Sequence, residues 1–519
     1  GANGVVIITT KSGNTDGKMS VSYTTFYGTK KIAKTLDVLS PEDYMKWQYE
    51  YAVLNDKLAG YESFFGSYQD IDLYAGLKGN DWQRQVYGRT GQVFSNDLSV
   101  RGGNDKFNYS VNYARFSEKT IMVGSDYVRN NVTLKLNNKP NDKVQLDFTL
   151  RYFDTKINGG GTKEQKEASA SADARLRHAV SYSPLSIDGL TADEDIDEQT
   201  AGDLTNPLIA TADNDRQQSR RNYNMGGAIT WNITNSLQWR SDVGMDSYGF
   251  NDDRFYGRST YKAKNDPAEG FKNLPAVILK DKKEIRFRNT NTLNYDFKSL
   301  LNSDHNLRLL VGHEMLKKEA QELTSEIHGF PSLFTADQAF KLTTQGKSIY
   351  SVDNNYMPDD KLLSFFGRVN YDFLGRYLLS ATYRADGSSK FIKENHWGYF
   401  PSAAVAWKIS DENFMQATSN WLNSLKVRLS YGTAGNNNIP PGQTFQSFVS
   451  DATLDYINGV TNFWAPSKTL ANPDLIWETT QTRNIGLDFN LLKGWLDGTF
   501  EVYRNNTKDL LIEFPVPGS

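Results

Sequence analysis

The sequence predicts an all-β protein, a transmembrane antiparallel β-barrel, on three observations. Apolar and polar residues alternate along about fifteen segments long enough to cross a bilayer when tilted. The connections between these segments are alternately short and long. Aromatic residues recur where a lipid band would have its edges. The stretch from Leu363 to Ile409 carries all three. Leu363, Phe365, Val369, Tyr371 and Phe373 alternate with Ser364, Arg368, Asn370 and Asp372, with Gly367 on the apolar side and Phe366 as the one exception. Such a strand is wet on one face. A tight turn from Phe373 to Gly375 sends the chain back with Tyr377, Leu379, Ala381 and Tyr383 opposing Arg376, Ser380, Thr382 and Arg384, so the pair is antiparallel. In the third strand Trp397 and Trp407 share a face. They stand about 33 Å apart along the strand, which is about 25 Å of height at a tilt near 40°.

Composition agrees. The 519 residues carry a net charge of -3 and no cysteine, which excludes disulfides and thiolate metal sites and leaves no electrostatic footprint for nucleic acid. No apolar run reaches the roughly 18 residues of a membrane helix, but barrel strands hide their apolar residues at every second position. Aromatic residues make up 13%, with 28 Tyr, 28 Phe and 10 Trp, more than a soluble core of this polarity needs and what a lipid-facing girdle uses. The chain opens on Gly1 with no signal sequence, so a piece of a longer protein is expected.

In chain order, Val5 to Thr10 reads as a short buried strand between glycine turns. Lys18 to Lys31 is the first barrel strand. Ser40, Pro41, Glu42 and Asp43 then give an N-cap, a first-turn proline and first-turn acids, with Tyr44, Trp47, Tyr51 and Leu54 following at helical spacing. Strands follow at Gln92 to Arg101, Lys106 to Phe116, Asp126 to Asn137 and Lys143 to Thr155. In the last, Val144, Leu146, Phe148, Leu150 and Tyr152 oppose Lys143, Gln145, Asp147, Thr149 and Arg151. One charge on the lipid side costs roughly 2 to 4 kcal/mol at the midplane, so the charged set faces away from lipid. Further strands read at Asn222 to Trp231, Leu237 to Tyr248, Glu284 to Phe297, His305 to Leu316, the three described first, Ser424 to Thr433, Arg483 to Leu491 and Trp495 to Asn505.

Every second connection is short: Gly102 to Asp105, Asn138 to Asp142, Ile233 to Ser236, Ser299 to Asp304, Phe373 to Gly375 and Leu492 to Gly494, with Ser410 to Asn423 somewhat longer. The connections at 32–91, 156–221, 250–282, 320–360 and 435–480 read as long and irregular, while 117–125 and 387–396 are modest. A soluble sandwich or propeller has no reason to keep that parity; an outer-membrane barrel does.

Candidate sites are few. His178, His305, His313, His328 and His396 show no metal-ligand spacing, and His305 and His313, on one face of one strand, read as separate wall residues. No nucleophile elbow or phosphate loop occurs, so no catalytic residue, cofactor or metal site is expected. The acidic run Asp193 to Glu198 lacks the glycine and distal glutamate of an EF-hand and reads as a solvated loop. In the first long loop Tyr61, Phe64, Phe65, Tyr68, Tyr74 and Trp82 stand among Asp70, Asp72 and Asp81. Tyr61, Phe64, Phe65, Tyr68 and Trp82 are the candidates for sugar or peptide capture, with packing against a neighbouring loop or a partner as the equal alternative.

The motifs GANGVVIITTKSG at residues 1 to 13, the Ser40 to Tyr44 helix start, Asn80-Asp81-Trp82-Gln83, residues 365 to 414, WLNSLKVRLSYGTAGNNN from Trp421 and NPDLIWETTQTRNIGLDFNLLKGWLDGTFEVYRNNTKDLL from Asn472 closely resemble the SusC/RagA family of TonB-linked outer-membrane transporters. The resemblance implies that residues 1–13 end a plug domain and that 18–519 hold about 15 of roughly 22 barrel strands. It also implies a SusD-like surface lipoprotein as lid, energy from the TonB–ExbB–ExbD complex, and an oligosaccharide or, less commonly, a peptide as cargo. The signal peptide, TonB box, most of the plug and the closing strands are not in the sequence, and an open edge cannot be left in lipid, so a fragment is expected. A passive porin, a structural or adhesive barrel, and a soluble β-sheet hydrolase or lectin are the alternatives.

Overall fold

A computed structural model describes residues 13–159, 175–185, 206–450, 464–466 and 469–514. The expected strand from Val5 to Thr10 and the acidic run from Asp193 to Glu198 lie outside the described residues, as does the side chain of Phe64. One antiparallel sheet of 15 strands dominates, ordered as the chain runs. Its first nine strands are β1 (Ser20–Lys30), β2 (Gly91–Gly103), β3 (Phe107–Lys119), β4 (Asp126–Asn141), β5 (Val144–Asn158), β6 (Asn214–Asn232), β7 (Leu237–Tyr256), β8 (Ala276–Asp296) and β9 (His305–His328). They continue through β10 (Ser348–Phe373), β11 (Tyr377–Ser388), β12 (Trp397–Lys408) and β13 (Leu422–Asn436). A separate hairpin, β14 (Phe448–Ser450) with β15 (Trp464–Pro466), interrupts the last long connection before β16 (Glu478–Leu491) and β17 (Leu496–Lys508) complete the sheet.

The register places the alternating residues as the sequence predicts. Val311, Gly367, Tyr383 and Pro401 lie in one row across β9 to β12, on the same face as Val405, Tyr399 and Leu429. Val243, Ile285, Val311, Phe365, Tyr383, Val405 and Leu429 are all large, apolar and exposed, a surface that only lipid covers at this extent. The opposite face carries ion pairs: Arg428 with Asp488 at 2.8 Å and Glu501 at 2.7 Å, Arg384 with Asp386 at 2.8 Å and Glu314 at 3.3 Å, Arg240 with Asp242 at 2.7 Å and Asp147 at 3.6 Å. The pattern's one exception has a local cause. Phe366 lies on the polar face, under the Arg384 guanidinium at 5.5 Å and against Gly312, where an added Cβ would stand 2.7 Å from its ring.

Short connections close one end. In the β10–β11 turn, three residues lie between the paired Phe373 and Tyr377; Leu374 and Gly375 both have positive φ, 55° and 68°, and Arg376 N donates to Phe373 O at 3.0 Å, the type I′ pattern that matches strand twist. At that end Trp407 stacks on Tyr377 at 6.3 Å, and Glu412 accepts from Trp407 Nε1 at 3.0 Å and Tyr377 Oη at 2.6 Å. The aromatic edge is thereby tied to a turn carboxylate that also pairs with Arg376 at 3.1 Å.

At the other end the strands outrun the lipid band. The connections read as irregular at 250–282 and 320–360 are sheet at both ends: β7 continues to Tyr256, β8 starts at Ala276, β9 reaches His328 and β10 starts at Ser348. Above the membrane both faces are wet, so the period-two signal vanishes while the backbone ladder persists, with bulges between Ile349 and Ser351 and between Met357 and Asp360. The 156–221 connection shortens likewise, because β5 runs to Asn158 and β6 starts at Asn214.

Adjacent residues of β12 test the two faces. Ala403→Arg, aimed at the lipid midplane, is expected to cost about 2 to 4 kcal/mol in urea unfolding of the purified intact outer-membrane protein, and Ala404→Arg, aimed between Ser380 and Ser430 on the polar face, far less. Equal costs would refute the assignment of faces.

Candidate functional site at the long-loop end

The first long connection folds into helices above the sheet. Helix α1 (Pro41–Leu54) starts as its sequence dictates: Ser40 is the N-cap, its side chain accepts from Asp43 N, and Pro41 opens the first turn. Its buried side differs from the expected stripe. Pro41, Tyr44, Met45 and Ala52 are buried, whereas Trp47, Tyr51 and Leu54 are exposed, Leu54 to 83%. Trp47 and Tyr51 stack on each other at 5.6 Å and 14°. The helix packs with α2 (Leu58–Phe65) through Tyr61, Ile71 and Leu185, with Tyr49, Phe65 and Tyr74 at the margin. Tyr49 joins the rings, 5.3 Å from Tyr61 and 4.1 Å from Tyr68.

Of the five candidates for capture, the four whose side chains are described divide. Tyr61 is buried in this cluster, Phe65 is half-buried, and Tyr68 is exposed with its ring on Tyr49. Trp82 belongs to a second cluster with Val86, Tyr87, Met122, Ala179 and Tyr182. It opens α3 (Trp82–Tyr87), capped by Asp81, whose Oδ1 accepts from Arg84 N at 2.9 Å. Trp82 Nε1 donates to Ser183 O at 2.7 Å, and its ring meets Tyr182 edge-on at 5.6 Å. Gln83 accepts from Leu36 N at 2.9 Å and donates to Leu36 O at 2.8 Å, and Asn80 N donates to Pro184 O at 2.7 Å. The Asn80-Asp81-Trp82-Gln83 motif therefore fastens three remote segments together. Beside it opens a cleft of about 480 Å³ lined by Val38, Leu39, Trp47, Asn80, Trp82 and Pro184.

A second anchor was invisible in sequence because its members come from separate connections. His328, 2% exposed, ends β9 with its Nδ1 2.5 Å from Asp266 Oδ2 and its Nε2 2.7 Å from Glu326 Oε1. Lys262 Nζ meets the same Glu326 oxygen at 2.7 Å, and Tyr350 of β10 stacks flat on the imidazole at 4.5 Å. Burial alone would raise the Glu326 carboxyl, but the hydrogen bonds from His328 and Lys262 hold it below its ordinary value. Farther along the rim Asp252, 3% exposed, takes Arg216 through both oxygens at 2.6 and 2.7 Å and Arg254 at 3.3 Å. Burial works against its charge too, and the arginines outweigh it, leaving the carboxyl below the usual range.

His305 and His313 have separate partners: His305 Nδ1 bonds Tyr371 Oη at 2.6 Å and His313 Nε2 meets Asn291 Nδ2 at 3.2 Å. Among the described residues no group of three or more His, Cys, Asp or Glu is placed to hold a metal.

A sheet wet on one face and lipid-covered on the other, with short turns at one end and folded loops at the other, defines an outer-membrane β-barrel. Residues 168–519 match the family model "TonB dependent receptor-like, beta-barrel", and the chain belongs to that family. It is 27% identical to TonB-dependent receptor P3 of Formosa agariphila over 535 residues, covering 100% of this chain and 48% of the relative. It is 28% identical to TonB-dependent receptor SusC of Bacteroides thetaiotaomicron, covering 99% and 49%. A solved structure of the RagAB peptide importer in a closed-closed state superposes with a TM-score of 0.76 at 20% identity, over 99% of this chain and 57% of that one. The chain thus spans about half the length of the curated relatives it matches.

The sign of the acid response follows from the lowered Glu326 and Asp252 carboxyls. Their contribution is complete above the unfolded carboxylate value of about 4.3 or less and is lost as pH falls through the lower folded values. Limited proteolysis of the connections around Lys262 and Gly329 is expected to be unchanged from pH 8 to 5 and to accelerate below about pH 4. Glu326→Gln is expected to give the acid pattern already at pH 7. Unchanged cleavage at pH 3 would show that these pairs do not hold the loops.

Proposed function

We propose that the intact protein imports a nutrient across the bacterial outer membrane, driven by TonB with ExbB and ExbD and covered by a SusD-like surface lipoprotein. The cargo on this reading is an oligosaccharide, with a peptide as the alternative. The observation that carries it is family membership, joined to an outer mouth whose loops form one folded assembly. Import needs a captured cargo shielded from outside before a path opens inside, so the mouth must offer different contacts in open and closed states. Anchored loops supply fixed walls for that change, and the cleft beside Trp82 a place for capture, with Trp47 as its open aromatic face.

A lid needs something to sit on. The stacked Trp47 and Tyr51 with Leu54, all exposed on α1, form the kind of apolar patch that marks a protein contact rather than a wet loop. On this reading residues 1–13 end a plug, and further strands cover the free sides of β1 and β17, since no sheet edge is tolerated in lipid.

Deleting tonB in the native host is expected to abolish uptake of labelled cargo while leaving the amount of protein in the outer membrane unchanged. Passive entry would persist without TonB and would sink the import reading. In the same host, Trp47→Ala with Tyr51→Ala is expected to reduce co-purification of the lipoprotein at least about tenfold; undiminished recovery would remove α1 from the contact.

A further inference from the structure

The polar wall carries a recess whose two arginines pair with no carboxylate among the described residues. The register sets Arg129 of β4, Thr155 of β5, Arg220 of β6 and Phe250 of β7 side by side in one row. The row nearest to it on the same face holds Phe153, Asn222 and Tyr248. Tyr127, Arg129, Phe153, Thr155, Arg220, Asn222 and Tyr248 enclose a recess of about 260 Å³, and Phe250 adjoins it beside Arg220. It sits about ten residues above the short turns, or about 25 Å up the wall, at the outer end of the lumen.

Its electrostatics differ from the rest of that face. Arg216, Arg240, Arg286, Arg384 and Arg428 are each held by a carboxylate. Arg129 and Arg220 are exposed, and no carboxylate among the described residues pairs with either. Arg220 donates only to the neutral Gln218 Oε1, at 3.2 Å, and lies over the Phe250 ring at 5.4 Å. No carboxylate lines the recess. Two exposed cations on the polar face, with Thr155 between them, Phe153 and Tyr248 in the next row and Phe250 beside Arg220, are a receptor for an anion that also has an apolar face.

Spacing narrows the class. Arg129 and Arg220 are two strands apart, about 10 Å. An extended peptide presents same-face side chains about 6.8 Å apart, one every second residue, and meets this pair poorly. A chain of pyranose rings bearing charges about two rings apart meets it, and ring faces rest on Phe153, Tyr248 and Phe250, the last two stacked at 6.4 Å and 10°. We propose that this recess is a subsite for an acidic oligosaccharide, its uronate or sulfate groups held by Arg129 and Arg220 and its sugar faces laid on the neighbouring aromatics. The proposal deepens the import reading, on which it rests for its purpose, though binding itself needs no TonB.

The test uses the intact protein purified in detergent, with calorimetry against tetragalacturonate, a sulfated carrageenan tetrasaccharide, neutral maltotetraose and tetraglutamate. At least one of the two acidic sugars is expected to bind, and which one names the anionic group. Arg129→Gln and Arg220→Gln are each expected to weaken that binding about tenfold or more. Heat-modifiable gel mobility should remain native, and Arg129→Lys should retain part of the affinity, separating charge from folding. Rising salt should weaken binding in parallel. Maltotetraose binding as tightly, tetraglutamate binding more tightly than either sugar, unaltered affinity in both glutamine variants, or no binding of either acidic sugar would each overturn the proposal. Because uptake is not the readout, these outcomes are independent of whether import proves TonB-driven.

Discussion

The structure depends on one constraint: in lipid, no backbone N–H or C=O can go unpaired, because no water is there to take its place. A continuous antiparallel ladder meets it, and from β1 to β17 every neighbour in the sheet is joined that way. The ladder fixes the side-chain period at two, and that period divides the wall into a lipid face and a lumen face. Every other property of the wall follows from the division. Apolar residues can be large and exposed on one side, and arginines can be plentiful on the other, since there they keep their hydration and avoid the hydrocarbon.

That division also decides what was legible in sequence. Within the lipid band, Val144 to Tyr152 or Leu363 to Phe373 reveal strand, face and direction, because a misplaced charge is heavily penalised there. The parity of the connections was legible for the same reason. Above the band the penalty disappears, and with it the alternation: the outer halves of β7 to β10 hold polar residues on both faces and read as loop, although the hydrogen-bonded ladder continues to Tyr256 and His328. The cap at Ser40 was readable because capping is local. The buried side of α1 was not, since Met45 and Ala52 are chosen by Tyr61 and Leu185, which come from elsewhere in the chain.

The mouth of the barrel is accordingly built by interactions that sequence cannot show. Trp82 looked like a free aromatic among acids; it is a nail through three segments, with its indole nitrogen on Ser183 and its neighbour Gln83 on Leu36. Asp81 read as one of the acids beside the aromatic candidates, and it caps a helix. His328 looked like an isolated histidine and lies between two carboxylates. Trp82 and Gln83 take partners from distant parts of the chain, His328 takes Asp266 from another connection, and the role of Asp81 depends on where a six-residue helix begins. Composition and spacing carry neither piece of information.

Charge pairing then separates scaffold from surface available for recognition. A carboxylate held by two arginines, as Asp252 is by Arg216 and Arg254, has its hydrogen-bonding capacity filled and cannot take cargo without first breaking. Such groups stiffen the rim. An arginine that faces the lumen with only a neutral amide and a ring beside it, as Arg220 does, has donors left over. Leftover donors in a water-filled wall cost little until an anion arrives, and they gain most when one does. The filled pairs and the open arginines lie on the same strands, within a few residues of each other. The wall can therefore stay rigid while it recognises, because the groups that hold its shape are not the groups left to bind.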